Sequence, residues 1–164
     1  MSDAPHTPHP ATTLLALLDS ATESVLAEFR RELEESGYAD IRPTHGCVFR
    51  FVREDGMRLT ELAHLGGMTK QSVGELVDDL VDRGYVERTP DPEDRRAKLI
   101  CLTDRGAGAQ RVGFGLLRDI ESRWAKRFGA ARVRQLRELL EEAVSEEAPE
   151  AVPELARDRL AAVK

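Results

Sequence analysis

Apolar positions along this chain recur first at helical spacing, then briefly at strand spacing, then at helical spacing again. Leu14, Leu17, Leu18, Ala21, Val25, Phe29 and Leu33 share one helical face, which stops at the helix-ending pair Ser36-Gly37. Thr12 and Thr13 both offer a side-chain cap for its start. A helix of roughly 22 residues is about 33 Å long at ~1.5 Å per residue, more than a small domain needs for itself. A second helix opens at Pro43-Thr44 and carries His45, Cys47, Val48, Phe49 and Val52 before Glu54-Asp55-Gly56. A short third helix starts at Leu59-Thr60 and is broken by Gly66-Gly67. Thr69 caps the fourth, in which Val73, Leu76, Val77, Leu80 and Val81 form the apolar stripe and Gly84 marks the end.

The pattern next predicts two strands, at 85–89 and 97–102, joined by Pro90-Asp91-Pro92-Glu93-Asp94-Arg95-Arg96 as a tight, exposed hairpin tip. Thr103 caps another long helix, whose Val112, Leu116, Ile120, Trp124 and Phe128 fall four apart with Leu117 alongside. After Gly129 a last helix holds Val133, Leu136, Leu139, Leu140 and Val144. The expected layout is a disordered lead at 1–11, a helical dimerisation region at 12–36 and 103–146, and a lobe at 43–102. An acidic, Pro-containing tail with a short helix completes it at 147–164, and no internal repeat is present.

Helix, turn, helix and then a hairpin with a charged tip is the order of a winged helix-turn-helix. The fold class expected is therefore mainly α with a small β-wing. In such a lobe the second helix enters the DNA major groove with its N-terminal residues nearest the bases. The apolar stripe leaves Lys70, Gln71, Gly74, Glu75 and Asp78 outward. Lys70 suits phosphate or guanine, Gln71 suits adenine, and Glu75 accepts from a cytosine amino group, while Thr69 and Ser72 suit phosphates. Glycine in an exposed helix interior costs about 1 kcal/mol relative to alanine. Gly74 is explained either by close approach of the DNA backbone or by tight packing on a neighbouring helix. Arg95 and Arg96 at the hairpin tip suit a narrow minor groove, with Asp94 holding a neighbouring guanidinium. The alternative is that an exposed turn simply collects charge. Arg88 and Lys98 on the strands complete the candidate DNA-contacting set.

Composition changes this picture little. The 164 residues suit one domain with an added dimerisation layer, and 41% apolar with only 5% aromatic content implies a core of Leu, Val and Ala. A net charge of -6 does not announce a partner for a polyanion. Phosphate contacts depend on where Lys and Arg sit, however, and not on their sum. From Arg58 to Lys98 seven basic residues face nine acidic ones, which predicts modest non-specific affinity and reliance on a few well-placed contacts. Cys47 and Cys101 lack metal-type spacing, so a reduced cytoplasmic setting without disulfides is expected. A redox role for Cys47 requires exposure and a lowered pKa. His6, His9, His45 and His64 show no convergent ligand spacing, so no metal is expected. The chain carries no phosphate-binding glycine loop, HExxH or nucleophile elbow, so no enzyme or cofactor is expected. No apolar run approaches the ~18 residues of a membrane span, and the polar N-terminus lacks signal-peptide features.

The stretch LTELAHLGGMTKQSVGELVDDLVDRGYVERTPDPEDRRAKLICLTDRG resembles the core of the MarR family of regulators. Its most specific part is DPEDRRAKLICLTDRG, with Asp94-Arg95-Arg96 in the place of the family's Asp-x-Arg wing motif. The resemblance implies that Arg96 enters the minor groove while Asp94 orients it, and that residues 69–75 contact the major groove. It also implies first and last helices interlocked into a two-fold homodimer. A small aromatic or anionic effector would sit in the crevice between the lobe and the dimerisation helices. His45, Cys47, Phe49 and Trp124 are candidates to line that crevice, and ordinary core packing is the competing explanation for each. Many relatives carry a basic residue late on the exposed face of the recognition helix, whereas this chain has Glu75, Asp78 and Asp79.

The expected function is sequence-specific binding of double-stranded DNA at a pseudo-palindrome, as a repressor released by an effector. A two-fold dimer sets the half-sites roughly 10 bp apart. An intramolecular helical bundle competes with the dimer. A winged helix that only binds proteins competes with the DNA reader, although it would not require the exposed Thr69-Lys70-Gln71 and Arg95-Arg96 sets.

Overall fold

The computed structural model describes residues 13–94 and 96–143. The expected lead at 1–11, Thr12, Arg95, Val144 and the tail at 147–164 lie outside the described residues. Helix α1 spans Leu14–Glu35, and the Thr13 side chain accepts from the Ala16 N–H at its start. A single 3₁₀ turn, Pro43–His45, leads into α2, Gly46–Phe51. Strand β1 is Met57–Arg58, followed by α3, Leu59–Gly66, and α4, Lys70–Asp82. Strands β2, Val86–Pro90, and β3, Lys98–Leu102, precede the long α5, Asp104–Phe128, and α6, Ala130–Ala143.

Four sequence expectations are corrected. The second helix is shorter than its pattern suggested. The Arg42 N–H donates to His45 Nδ1 and folds the entry into a 3₁₀ turn. At the other end Gln110 of α5 donates to the carbonyls of Phe49 and Val52, so the chain leaves the helix with those acceptors satisfied. The sheet among the described residues has three strands in the order β1-β3-β2, with Met57 opposite Ile100 and Val86 opposite Leu102. Two residues are too few for β1 to show a period of two, so only its partner reveals it. The loop between Pro90 and its partner Lys98 runs over residues 91–97, one residue later than expected, and Asp91 within it is only 5% exposed instead of open to solvent. Finally, α5 buries Gly106, Ala109, Gly113 and Ile120, while Val112, Leu116, Trp124 and Phe128 stay at least partly exposed.

The core lies inside the lobe. Val48 of α2, Leu62 of α3, Val73, Val77 and Leu80 of α4, Tyr85 just ahead of β2 and Ile100 of β3 meet there, all but closed to solvent. Each such aliphatic side chain contributes roughly 1.5–3 kcal/mol by leaving water. Of the long helices, α5 adds Ala109 to this core, and otherwise they cross outside it. Phe29 of α1 packs over Gly113 of α5, where a Cβ would lie 3.5 Å from the ring. Arg123 of α5 spans Glu28 and Glu32 of α1 at 3.0 and 2.7 Å.

The joint between the lobe and α5 is polar and tight. Thr103 N–H donates to the Tyr85 carbonyl at 3.1 Å, while its hydroxyl donates to the Gly84 carbonyl at 2.7 Å and accepts from the Gly106 N–H. Arg105 donates to the Arg83 carbonyl, the Tyr85 hydroxyl and Asp40, with its guanidinium 4.2 Å from the Tyr85 ring centroid. Burial pushes the Tyr85 phenol up to about 12, so it keeps the proton it donates to Asp40 at 2.6 Å. A Cβ on Gly106 would fall 1.9 Å from the Tyr85 carbonyl oxygen, a backbone atom that cannot swing away. Gly106→Ala should therefore lower the unfolding free energy by at least about 1–3 kcal/mol. Urea denaturation measures it, and an unchanged midpoint would show that the joint is loose.

Candidate nucleic-acid interface

Helix α4 has one way to lie. With Val73, Val77 and Leu80 fully buried, Lys70, Gln71, Glu75 and Asp78 are exposed on the other side, and Ser72 and Gly74 are half-exposed. Thr69 Oγ1 accepts from the Ser72 N–H at 3.1 Å and lies 2.8 Å from Ser72 Oγ, so the two hydroxyls are bound to each other at the helix start. Gln71 Nε2 donates to Glu75 Oε1 at 3.3 Å across one turn. A Cβ at Gly74 would meet only Leu59 Cδ2, at 4.0 Å. Tight packing therefore does not require the glycine.

The acidic character of α4 is largely answered from within. Asp78 is paired with Arg88 of β2. Asp79 gathers three partners, Arg42, Arg83 Nε at 2.8 Å and His45 Nε2 at 2.8 Å. The Arg83 and Arg42 donors hold the Asp79 carboxyl well below the usual carboxylate range. Burial pushes His45 below the ordinary histidine value, against the pull of the Asp79 charge. Its Nε2 lies within ion-pair range of Asp79 but off the line of a good hydrogen bond. This cluster ties α4 to the 3₁₀ turn ahead of α2.

The wing is shaped by two aspartates. Arg58 of β1 places Nε and Nη2 on Asp91 Oδ2 at 2.7 and 2.6 Å, and Asp91 Oδ1 accepts from the Glu93 N–H. That backbone donor first, and Arg58 after it, lower the Asp91 pKa. Asp94 Oδ1 accepts from the backbone N–H of Arg96 at 3.0 Å, so it holds the turn that presents Arg96 rather than the Arg96 guanidinium. Arg95 lies outside the described residues. Of the candidate cations, Arg88 is engaged by Asp78, while Lys70, Arg96 and Lys98 are exposed and have no ionic partner among the described residues.

The four expected effector-pocket residues do not converge. His45 is fully buried beneath α4, and Cys47 faces α3, where a Cβ on Gly66 would lie 3.9 Å from the Cys47 Cβ. Phe49 meets Tyr85 edge-on at 5.7 Å, and Trp124 meets Phe128 at 6.0 Å near the far end of α5. The helical turn points the first three in different directions, and Trp124 belongs to the α5–α6 contact. The cleft between the lobe and the long helices is lined by other residues. It holds about 660 Å3, with Phe114 and Leu117 as apolar surface, Gln110 beside them, Arg50, Arg53, Arg118 and Arg137 around it, and Glu54 and Glu121 among them, Glu121 paired with Arg137 at 2.6 Å. Sequence periodicity gave no signal for it, because these cations come from α2, the turn after it, α5 and α6.

The MarR family model matches residues 39–97, a span that runs from the joint residue Asp40 through α4 to the wing. CouR from Rhodococcus jostii RHA1, solved bound to p-coumaroyl-CoA, is similar with a TM-score of 0.66 and 25% identity, over 85% of this chain and 97% of that one. Residues 39–97 thus match the MarR family, and the chain is similar in fold to MarR-family winged-helix transcriptional regulators. CouR bound to a 23-mer DNA duplex shares the fold at a TM-score of 0.62 and 24% identity, over 79% of this chain and 91% of that one. The HTH-type transcriptional regulator PetP of Rhodobacter capsulatus is 33% identical over 81 residues, 49% of this chain and 48% of PetP. The chain spans about half the length of the curated relatives it matches. Among the described residues no helix is long and apolar enough to cross a membrane.

The buried His45 gives the lobe a pH signature. Below the ordinary histidine value of 6.5 the unfolded chain takes up a proton that the folded lobe refuses. Stability therefore falls as pH drops through that value, by at most about 1.4 kcal/mol per pH unit for one proton. Urea titrations at pH 7.5 and 5.5 should show this loss, and His45→Asn should flatten it. Equal slopes in both proteins would remove His45 as the source.

Proposed function

We propose that this chain is a MarR-family regulator: a homodimeric, sequence-specific reader of double-stranded DNA, acting as a repressor that a small anionic or aromatic effector releases. The observation that carries the reading is the division of charge on α4 and the wing. Asp78 and Asp79 are neutralised by arginines of the same lobe, while Lys70, Gln71, Arg96 and Lys98 remain exposed. The proposed roles follow from position. Lys70 and Gln71 enter the major groove with Glu75, Thr69 and Ser72 sit at the helix start near phosphate, and Arg96 enters the minor groove from the wing. Lys98 reaches phosphate beside the wing, Asp94 shapes the turn, and Arg88 acts through its hold on Asp78. Arg95 is assigned to the wing contact from its place in the chain.

The dimer is supported by apolar surface that one chain leaves open. Leu14, Leu15 and Leu17 of α1 and Leu139 of α6 are each more than half exposed, and Leu136 and Leu140 lie beside the last of these. A second copy meeting α1 and α6 would cover them and set two α4 helices on one face of a duplex. The effector reading is supported by the cleft, where four arginines outnumber two glutamates beside Phe114 and Leu117, and CouR supplies a solved example with p-coumaroyl-CoA bound. Such a regulator works in the cytoplasm.

Selection from a random duplex pool tests the reading, with anisotropy on the winner over a salt series. A pseudo-palindrome with half-sites roughly 10 bp apart is expected, with log affinity falling linearly in log salt. No enrichment together with no binding at low salt would overturn it in favour of a protein-interaction module. Arg96→Ala should weaken the selected duplex by about 1–3 kcal/mol. Gly74→Ala should separate two quantities. Stability should rise by up to about 1 kcal/mol, because the helix gains a better former. Operator affinity should fall, because the added methyl keeps α4 off the duplex.

A further inference from the structure

We propose that Glu75, braced by Gln71, is the base-discriminating residue of α4, selecting cytosine and rejecting guanine at one position in each half-site. The inference rests on the DNA-reading function proposed above and goes beyond it to the rule by which the site is read.

Three neighbouring carboxylates on α4 invite comparison. Asp78 is paired with Arg88, and Asp79 with Arg42 and Arg83. Glu75 has no cation among the described residues, and it accepts from the side-chain amide of Gln71. It is exposed and sits on the face opposite the buried stripe. An unneutralised carboxylate brought to a duplex is repelled by the phosphates in every sequence. That repulsion is offset only where a base presents a donor, and in the major groove the donors are the exocyclic amines of cytosine and adenine. Guanine presents O6 and N7, both acceptors, so a carboxylate facing them adds repulsion and gains no bond.

Gln71 removes the remaining ambiguity. A carboxylate only accepts, so the amide must turn its nitrogen to Glu75 and keep its oxygen away. One N–H and the carbonyl oxygen stay available, and these two match N7 and the amino group of adenine. The adenine edge is thereby occupied by Gln71, and the residue one turn later meets the next amino group. Four residues advance the helix by about 6 Å, close to two base-pair steps of ~3.4 Å. The pair thus reads an adenine and, one or two steps away, a cytosine.

The test is parallel selection with wild type, Glu75→Gln and Gln71→Ala, followed by anisotropy on duplexes differing at the selected cytosine. Wild type should lose about 5- to 100-fold when that cytosine becomes guanine. Glu75→Gln both donates and accepts, so it should lose most of this discrimination while binding unrelated duplexes more tightly than wild type. Gln71→Ala should lose the adjacent adenine preference. If wild type selects a site but Glu75→Gln keeps the same base preference, or changes affinity for every duplex equally, the role of Glu75 is overturned and the DNA-reading function stands. If none of the three proteins enriches or binds any duplex, the DNA-reading function itself falls.

Discussion

The structure depends most on the burial of one stripe of α4. Val73, Val77 and Leu80 are closed to solvent, so rotating the helix by even a quarter turn would return at least one of them to water. At roughly 1.5–3 kcal/mol per side chain, that is a large share of what holds a small lobe together. The polar face is consequently fixed without any polar contact having to fix it. Asp79 then adds direction. Its ties to Arg42, Arg83 and His45 join the side of α4 to the 3₁₀ turn and to its own C-terminal end.

The same lobe is coupled to the long helices through few atoms. Tyr85 sits at the point where α4, the sheet and the start of α5 meet, and Arg105 closes that point over its ring. Gln110, one turn further along α5, holds the end of α2. The cleft opens beside Gln110, between the residues it holds and α6. A ligand bound there would touch both bodies at once, and so would have differential contact with any two arrangements of them. That is the condition for shifting an equilibrium between arrangements.

Charge in this protein is local. A chain of net charge -6 has little long-range attraction to DNA, and an acidic α4 adds to the difficulty. The arginines that pair with Asp78 and Asp79 resolve it by spending cations inside the lobe, which leaves very few to face outward. Such a surface gains little from non-specific phosphate contact and more from the fit of individual side chains to base edges.

Helix boundaries other than those of α2, the strand pair and the outward face of α4 were legible in the sequence, because capping threonines, closing glycines and apolar spacing are properties of neighbouring residues. Thr13, Thr69 and Thr103 cap the helices their positions implied. The family resemblance rested on the same local stretch. What the chain order could not show were contacts between residues far apart in it. The two-residue β1 exists only because β3 pairs with it, and Asp91 turns inward only because Arg58 waits there. Asp78 and Asp79 looked like open charge until Arg88, Arg42 and His45 were brought beside them. The expected pocket residues were dispersed, and a cleft of arginines from separate elements stood in their place. Local pattern determines which residues form each element and which side is apolar. Only packing decides which charges meet, because an ion pair depends on distance in space and not on spacing along the chain.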